Sequence, residues 1–367
     1  MPPTVRPPTV RPPTVRPPTV RRSAYGTTPD GRAVHAWTLT APGGVHATVL
    51  TLGAALAALT APAPRAAPGP VVLGLPSLHA RAGDHPYLGP VVGRYANRIA
   101  HGRFTLDGTD HRVPVNDRGH ALHGGPDGFH RRVWQAAPTE DGTGVELRLH
   151  SPHGDMGFPG ALDLTATYRL AEPGTLAIDY RAVTDRPTVV NPTNHAYFNL
   201  AGHGTVHDHV LELSADHYLP VTDRGIPHGP AEPVAGTPFD FGRPARLGER
   251  IAADHPQVRA AGGLDHCWLL RPAGPGELRH AATLAGPAAG RRMEVWTTEP
   301  GVQVYTGNNL DGTLPGADGR PLPRHAGICL ETQHLPDSPN RPEYPSTVLR
   351  PGEIFRSSTE FRFTSWN

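Results

Sequence analysis

The sequence predicts an all-β protein of antiparallel strands, a sandwich or a barrel, and three observations carry that reading. Apolar residues alternate with period two at Val145, Leu147 and Leu149, at Leu162, Leu164, Ala166, Tyr168 and Leu170, and at Leu176, Ile178, Tyr180 and Ala182. Turn chemistry separates these runs: EDGTG at 140–144, PHGDMGFPG at 152–160 and AEPG at 171–174. The 42 glycines and 44 prolines are spread along the chain, which fits many turns and disfavours helices. No convincing helix is expected.

The elements follow in chain order. Residues 2–21 are four copies of PPTVR, followed by Arg22 and Ser23. Two prolines in every five residues remove amide donors and fix φ, so residues 1–22 read as a disordered, polyproline-like arm. The rest, 23–367, reads as a single all-β domain, a length that one such domain can reach. The hydrophobic content of 37% suffices for a sizeable core.

Composition removes several functions. The formal net charge is +1, and no Arg block occurs beyond the first 22 residues, so neither nucleic acid nor an anionic membrane is an expected partner. No run approaches the roughly 20 apolar residues of a membrane helix, and the N-terminus lacks a signal-peptide core, which points to the cytoplasm. All 34 basic residues are arginine. A GxxxxGK phosphate loop, a Schiff-base lysine and a lysine general base are therefore impossible. Cys267 and Cys329 stand outside any CxxC or CxxH pattern and read as buried thiols.

Five polar clusters stand out: GRYANRIAHGRF at 93–104, LHGGPDGFH at 122–130, NPTNHAYFNLAG at 191–202, GGLDHCWLL at 262–270 and ICLETQHLPDSPN at 328–340. Scattered segments of an all-β fold converge on one face or mouth. Histidine, glutamate, arginine and aspartate brought together there suit acid/base work on a polyol. Carboxylates and Arg forks bind hydroxyls, and aromatics such as Tyr197 and Phe198 cover an apolar ring face. Each residue also has a plainer reading. His195 fits a satisfied core histidine, Glu331 an ion pair at the end of a buried strand, Arg98 a clamp on a loop carbonyl, and Asp265 a turn former. A metal site at His207, His209 and Glu212 is disfavoured, because on a strand Glu212 faces away from the two histidines. No metal is expected.

The clusters in this order resemble the aldose 1-epimerase (galactose mutarotase) family. The resemblance continues through SPHGDMGFPG at 151–160, GTPFDF at 236–241, GVQVYTGNNL at 301–310 and LRPGEIF at 349–355, and omits only the PPTVR arm. It implies a large antiparallel β-sandwich, the galactose mutarotase-like supersandwich, with the sugar in an open cleft. It also implies roles: His195 as general acid on the ring oxygen and Glu331 as general base on the anomeric hydroxyl. Asn97, Arg98, His123, Tyr197, Asp265 and Gln303 match sugar-binding positions, and His123 steadies a substrate oxygen. No cofactor is implied, and the partner is a free aldohexose bound by a monomer or weak homodimer. Unperturbed pKa values of about 4.3 and 6.5 leave carboxylate and imidazolium a window near neutrality. A hexose 6-phosphate epimerase and a non-catalytic sugar-binding module are the alternatives.

Overall fold

A computed structural model describes residues 18–171 and 174–366. Three antiparallel sheets carry the chain. The first runs in chain order through Thr19–Thr27, Ala33–Thr40, His46–Leu50, Leu56–Ala61 and Gly69–Pro70. The second has nine strands, in the spatial order Gln135–Pro138, Gly144–Ser151, Leu162–Ala171, Thr175–Thr184, Phe355–Ser365, Arg291–Thr297, Arg279–Gly286, Val210–Leu213 and Ala245–Arg246. The third has six: Tyr197–Phe198, Ile328–Gln333, Gly301–Tyr305, Asp265–Leu270, Ala215–Leu219 and Glu232–Pro233. The last long strand enters the middle of the nine-stranded sheet, pairing Tyr180 with Ser357 on one side and Val295 with Phe361 on the other.

The expected period-two runs fall on strands, and one core draws on all three sheets: Trp37 and Val49 from the first, Leu147, Ile178 and Met293 from the second, Trp268, Val302 and Leu330 from the third. Around Trp268 pack Phe239 and Phe241 of the GTPFDF segment, and the indole N–H donates to Phe239 O at 3.0 Å. Other motifs have structural tasks. Arg94 of GRYANRI is buried, and its guanidinium donates to Ser151 O, Ser151 Oγ, Pro159 O, Gly160 O and Thr188 Oγ1 at 2.7–3.1 Å. That one cation staples the SPHGDMGFPG turn to the motif behind the site.

Two expectations need correction. The arm does not extend to Arg22: Thr19, Val20, Arg21 and Arg22 pair with Thr40, Leu39, Thr38 and Trp37, and Val20 packs on the core. After Pro18 no proline interrupts the amide donors, so a β-branched pair can join the sheet edge. The first three repeats and Pro17 lie outside the described residues. Helix is not absent either: short α-helices span Leu78–Ala82, Leu247–Ile251 and Pro256–Ala261. Their signals are caps rather than periodicity. Ser77 Oγ accepts from Ala80 N, and Pro256 opens a helix that Gly262 closes at φ 67°.

Candidate active site

The site forms on the outer face of the six-stranded sheet. In Ile328–Gln333, Ile328 and Leu330 enter the core, so Cys329 and Glu331 emerge on the opposite face. The neighbouring strand buries Val302 and Val304 and presents Gln303 and Tyr305 likewise. Register sets Gln303 opposite Glu331 and Asp265 opposite Tyr305. The amide of Gln303 donates to Asp265 Oδ1 at 2.7 Å.

His195 is held between two short pairings. Thr193–Asn194 pairs with Val92 and Val91, and Tyr197 and Phe198 pair with Cys329 and Ile328. Backbone bonds on both sides fix the intervening residue: His195 N to Pro90 O at 2.9 Å, and Gly89 N to His195 O at 3.0 Å. Asn97, Arg98 and His123 come from a two-strand pairing in which Leu122 faces Arg98. The double glycine of LHGG is required there. At Gly124, φ is 84°, and a Cβ would stand 2.0 Å from Gly93 O, so only glycine lets the two motifs touch.

All eight residues singled out from the sequence, His195, Glu331, Asn97, Arg98, His123, Tyr197, Asp265 and Gln303, line one cavity of about 240 Å³. Seven further residues line it: Pro86, Tyr87, Asn116, Asp117, Leu122, Tyr305 and Asn309. Tyr305 and Asn309 lie inside the GVQVYTGNNL segment, which offered a signal, whereas Tyr87 in HPYLGP and Asn116–Asp117 in VNDRG carried none.

At the centre, His195 Nε2 is 3.6 Å from Glu331 Oε1, with both side chains nearly inaccessible. Cys329 Sγ lies 3.5 Å from His195 Nδ1. Burial pushes His195 down to about 4, and it pushes Glu331 well above the usual carboxylate range, with the Asp265 charge adding to the rise and Arg98 opposing it. Burial also holds His123 well below 6.5, helped by His195. The expectation that unperturbed values would leave carboxylate beside imidazolium is therefore corrected. Burial favours the uncharged pair, a carboxylic acid beside a neutral imidazole. Glu331 Oε2 and Gln303 Oε1 are buried without a hydrogen-bond partner. Such acceptors await a ligand.

Arg98 donates from Nε to Asp117 Oδ2 at 2.9 Å, an ion pair that is mostly buried on the arginine side. Asn97 accepts from Arg98 N through Oδ1 at 2.9 Å and donates its own N–H to His123 Nδ1 at 3.1 Å. The second bond fixes a tautomer. With Nδ1 accepting, neutral His123 carries its proton on Nε2 and is a donor to whatever fills the cavity.

This bears on metals. Ligand atoms of His123, His195 and Glu331 come within 4.8 Å of one another, the one such cluster among the described residues. Ligation through His123 Nε2 would require the proton on Nδ1, facing the Asn97 N–H. Metal-bound histidines use the other nitrogen as a donor to an acceptor, which is the opposite arrangement. The donor set does not suit a metal. His207 and His209 precede the strand Val210–Leu213 rather than lying on it, and His209 Nε2 accepts from Leu200 N at 2.8 Å.

An antiparallel supersandwich with a polar cavity on one outer sheet face defines the galactose mutarotase-like class of folds. A family model described as aldose 1-epimerase matches residues 35–362, and the chain belongs to that family. It is 41% identical to the rat galactose mutarotase over 94% of this chain and 98% of that one. It is 40% identical to the aldose 1-epimerase of Escherichia coli K12 over 91% and 96% of the two chains. Among solved structures, the galactose 1-epimerase of Lactobacillus acidophilus NCFM superposes with a TM-score of 0.83 at 29% identity, covering 96% of this chain and all of that one. Among the described residues no helix is long and apolar enough to cross a membrane.

Proposed function

We propose that this chain is an aldose 1-epimerase that interconverts the α and β anomers of free aldohexoses such as galactose and glucose by acid/base opening of the hemiacetal ring. The observation that carries the reading is the buried His195–Glu331 pair, 3.6 Å apart at a polar cavity of monosaccharide size. The anomeric hydroxyl O1 and the ring oxygen O5 are bonded to the same carbon, so an acid and a base for them must stand side by side.

Glu331 removes the O1 proton while His195 Nε2 delivers one to O5. The C1–O5 bond breaks and the C1–O1 bond becomes a carbonyl. Opening consumes a carboxylate and an imidazolium and leaves a carboxylic acid and a neutral imidazole, the form that burial favours. The pair carries one proton throughout. The aldehyde then turns by half a rotation about C1–C2, and the same two groups run the steps backwards on the other face. His123 donates from Nε2 to a substrate oxygen, while Asn97, Arg98, Asp265 and Gln303 hold the remaining hydroxyls and Tyr197 packs its ring beside His195, 5.2 Å between centroids, to fix the reactive pose.

The alternatives fit less well. Arg98 is the one cationic side chain among the cavity-lining residues, it is already paired with Asp117, and Asp265 and Glu331 stand near it. A phosphate on the sugar would meet carboxyl groups rather than a cationic clamp. A module that only binds sugar has no use for a buried carboxyl with an empty acceptor. The enzyme works in the cytoplasm as a monomer or weak homodimer. Polarimetry of freshly dissolved α-galactose, α-glucose and α-glucose 6-phosphate tests the assignment. Acceleration of the two free sugars supports it, and acceleration of the phosphate alone overturns it.

A further inference from the structure

Three tyrosines line the cavity, and they are not equivalent. Tyr197 is 1% exposed, and its hydroxyl donates to Pro86 O at 2.6 Å. Tyr305 is 7% exposed, and its hydroxyl accepts from Asn309 N at 2.9 Å. Tyr87 is half-buried and is the most exposed of the three. Its ring stands 4.7 Å from that of His123 and 5.7 Å from that of His195, centroid to centroid.

The backbone under Tyr87 is strained and heavily secured. Its φ is +55°, a conformation that a bulky L-residue adopts only where its surroundings impose it. The surroundings do so from both sides. Leu88 N donates to His85 Nδ1 at 3.1 Å, and Arg81 Nη1 donates to Leu88 O at 3.3 Å. Asn194 Nδ2 and Leu56 N both donate to Gly89 O, at 2.9 and 2.8 Å. Gly89 N reaches His195 O, so the turn is tied directly to the residue that bears the acid. Tyr197, whose hydroxyl is occupied by Pro86, secures the same turn.

We infer that Tyr87 is the aromatic platform for the apolar face of the sugar, held over the histidine pair by a strained turn that Tyr197 steadies from beneath. This rests on the assignment of the cavity to aldohexoses. A pyranose presents C–H groups on one face, and an aromatic ring accepts that face with little loss of freedom. Hydroxyl contacts alone leave a ring free to tilt. A platform fixes the plane in which O1 and O5 meet Glu331 and His195.

Methyl β-galactoside binds without reacting, because its capped O1 has no proton to lose, and so it reports binding apart from turnover. Its ring protons are followed by NMR on titration with wild-type protein, Tyr87→Phe and Tyr87→Leu, and galactose kinetics are measured on the same preparations. Expected are an upfield ring-current shift with wild type and Tyr87→Phe, and loss of that shift with Tyr87→Leu. The Kd should weaken about tenfold in Tyr87→Leu, with KM for galactose rising more than kcat falls. Wild-type protein that turns over galactose but shifts no ring proton of the glycoside overturns the platform and leaves the epimerase intact. So does a folded Tyr87→Leu variant with unchanged shift and Kd. Wild-type protein that fails to turn over galactose instead sinks the function itself.

Discussion

Replacing Glu331 by Gln removes the proton acceptor while keeping the side chain's size. A general base contributes about a hundred- to ten-thousandfold, so kcat should fall by that factor, or about 3–5 kcal/mol in the barrier. The structure adds a second signature. In the wild type one proton is shared by the pair, so the competent population persists from just above His195's value of about 4 up to the raised value of Glu331. Glutamine carries no such proton, and the variant's residual acid catalysis depends on His195 imidazolium alone. With that group at about 4, its charged fraction falls about tenfold per pH unit above about pH 5. Rates of α-galactose mutarotation measured by polarimetry, with the spontaneous rate subtracted, should be nearly flat for the wild type from about pH 5 until the raised value of Glu331 is reached. They should decline roughly a hundredfold between about pH 5 and 7 for the variant. A wild-type rate in Glu331→Gln refutes the base assignment. A Glu331→Gln profile with a midpoint near 6.5, the ordinary imidazole value, refutes the burial argument.

Other consequences are structural. Glu299 Oε2 lies 2.6 Å from His334 Nδ1 at the foot of the two central site strands. Burial works to raise Glu299, but the His334 charge and hydrogen bond outweigh it and leave a net lowering; burial lowers His334, and Glu299 reverses that to a net rise. The carboxylate's contribution is present above about 4.5 and is lost as pH falls through its lowered value; the imidazolium's is full below about 6.5 and is lost as pH rises through its raised value. Glu299→Gln should therefore cost about 3 kcal/mol between those limits, and denaturant unfolding across pH should show the difference shrinking on either side. Gly124→Ala should cost about 2–4 kcal/mol in the same assay, and it should reduce turnover because the Cβ must displace the His123 segment. An unchanged midpoint would mean that the contact with Gly93 relaxes freely. A chelator should leave the galactose rate unchanged, and activity restored by a divalent ion would contradict the His123 tautomer.

Strands were legible in the sequence wherever one face is buried and the other is not, as in Leu162 to Leu170, because the alternation is itself the physical cause of the fold. The helices escaped notice because five or six residues are too few to display a 3.6-residue period. The arm's boundary was misplaced because the repeat's own composition hid the point where its prolines stop and the sheet edge begins. Within the site, the residues that announced themselves were charged or amide side chains in dense motifs. Tyr87 did not, since nothing local in HPYLGP distinguishes a platform from a packed ring; its meaning comes from contacts with residues about 35 and 110 positions away. Nor could sequence reveal the inverted proton affinities of His195 and Glu331. Those arise from dehydration, which only the assembled cavity imposes.

The central claim is that Glu331 and His195 open the ring by moving protons on oxygen alone. Equilibrated galactose in D2O, with wild-type protein, provides the direct measurement: saturation transfer between the anomeric protons of the α and β forms, recorded together with the intensity of the C2 proton signal. The account predicts rapid exchange between the two anomeric signals with wild type, protein-dependent exchange slowed at least about a hundredfold with Glu331→Gln or His195→Asn, and no loss of the C2 proton to deuterium. Absence of protein-dependent exchange, or washout of the C2 proton through an enediol, would contradict it.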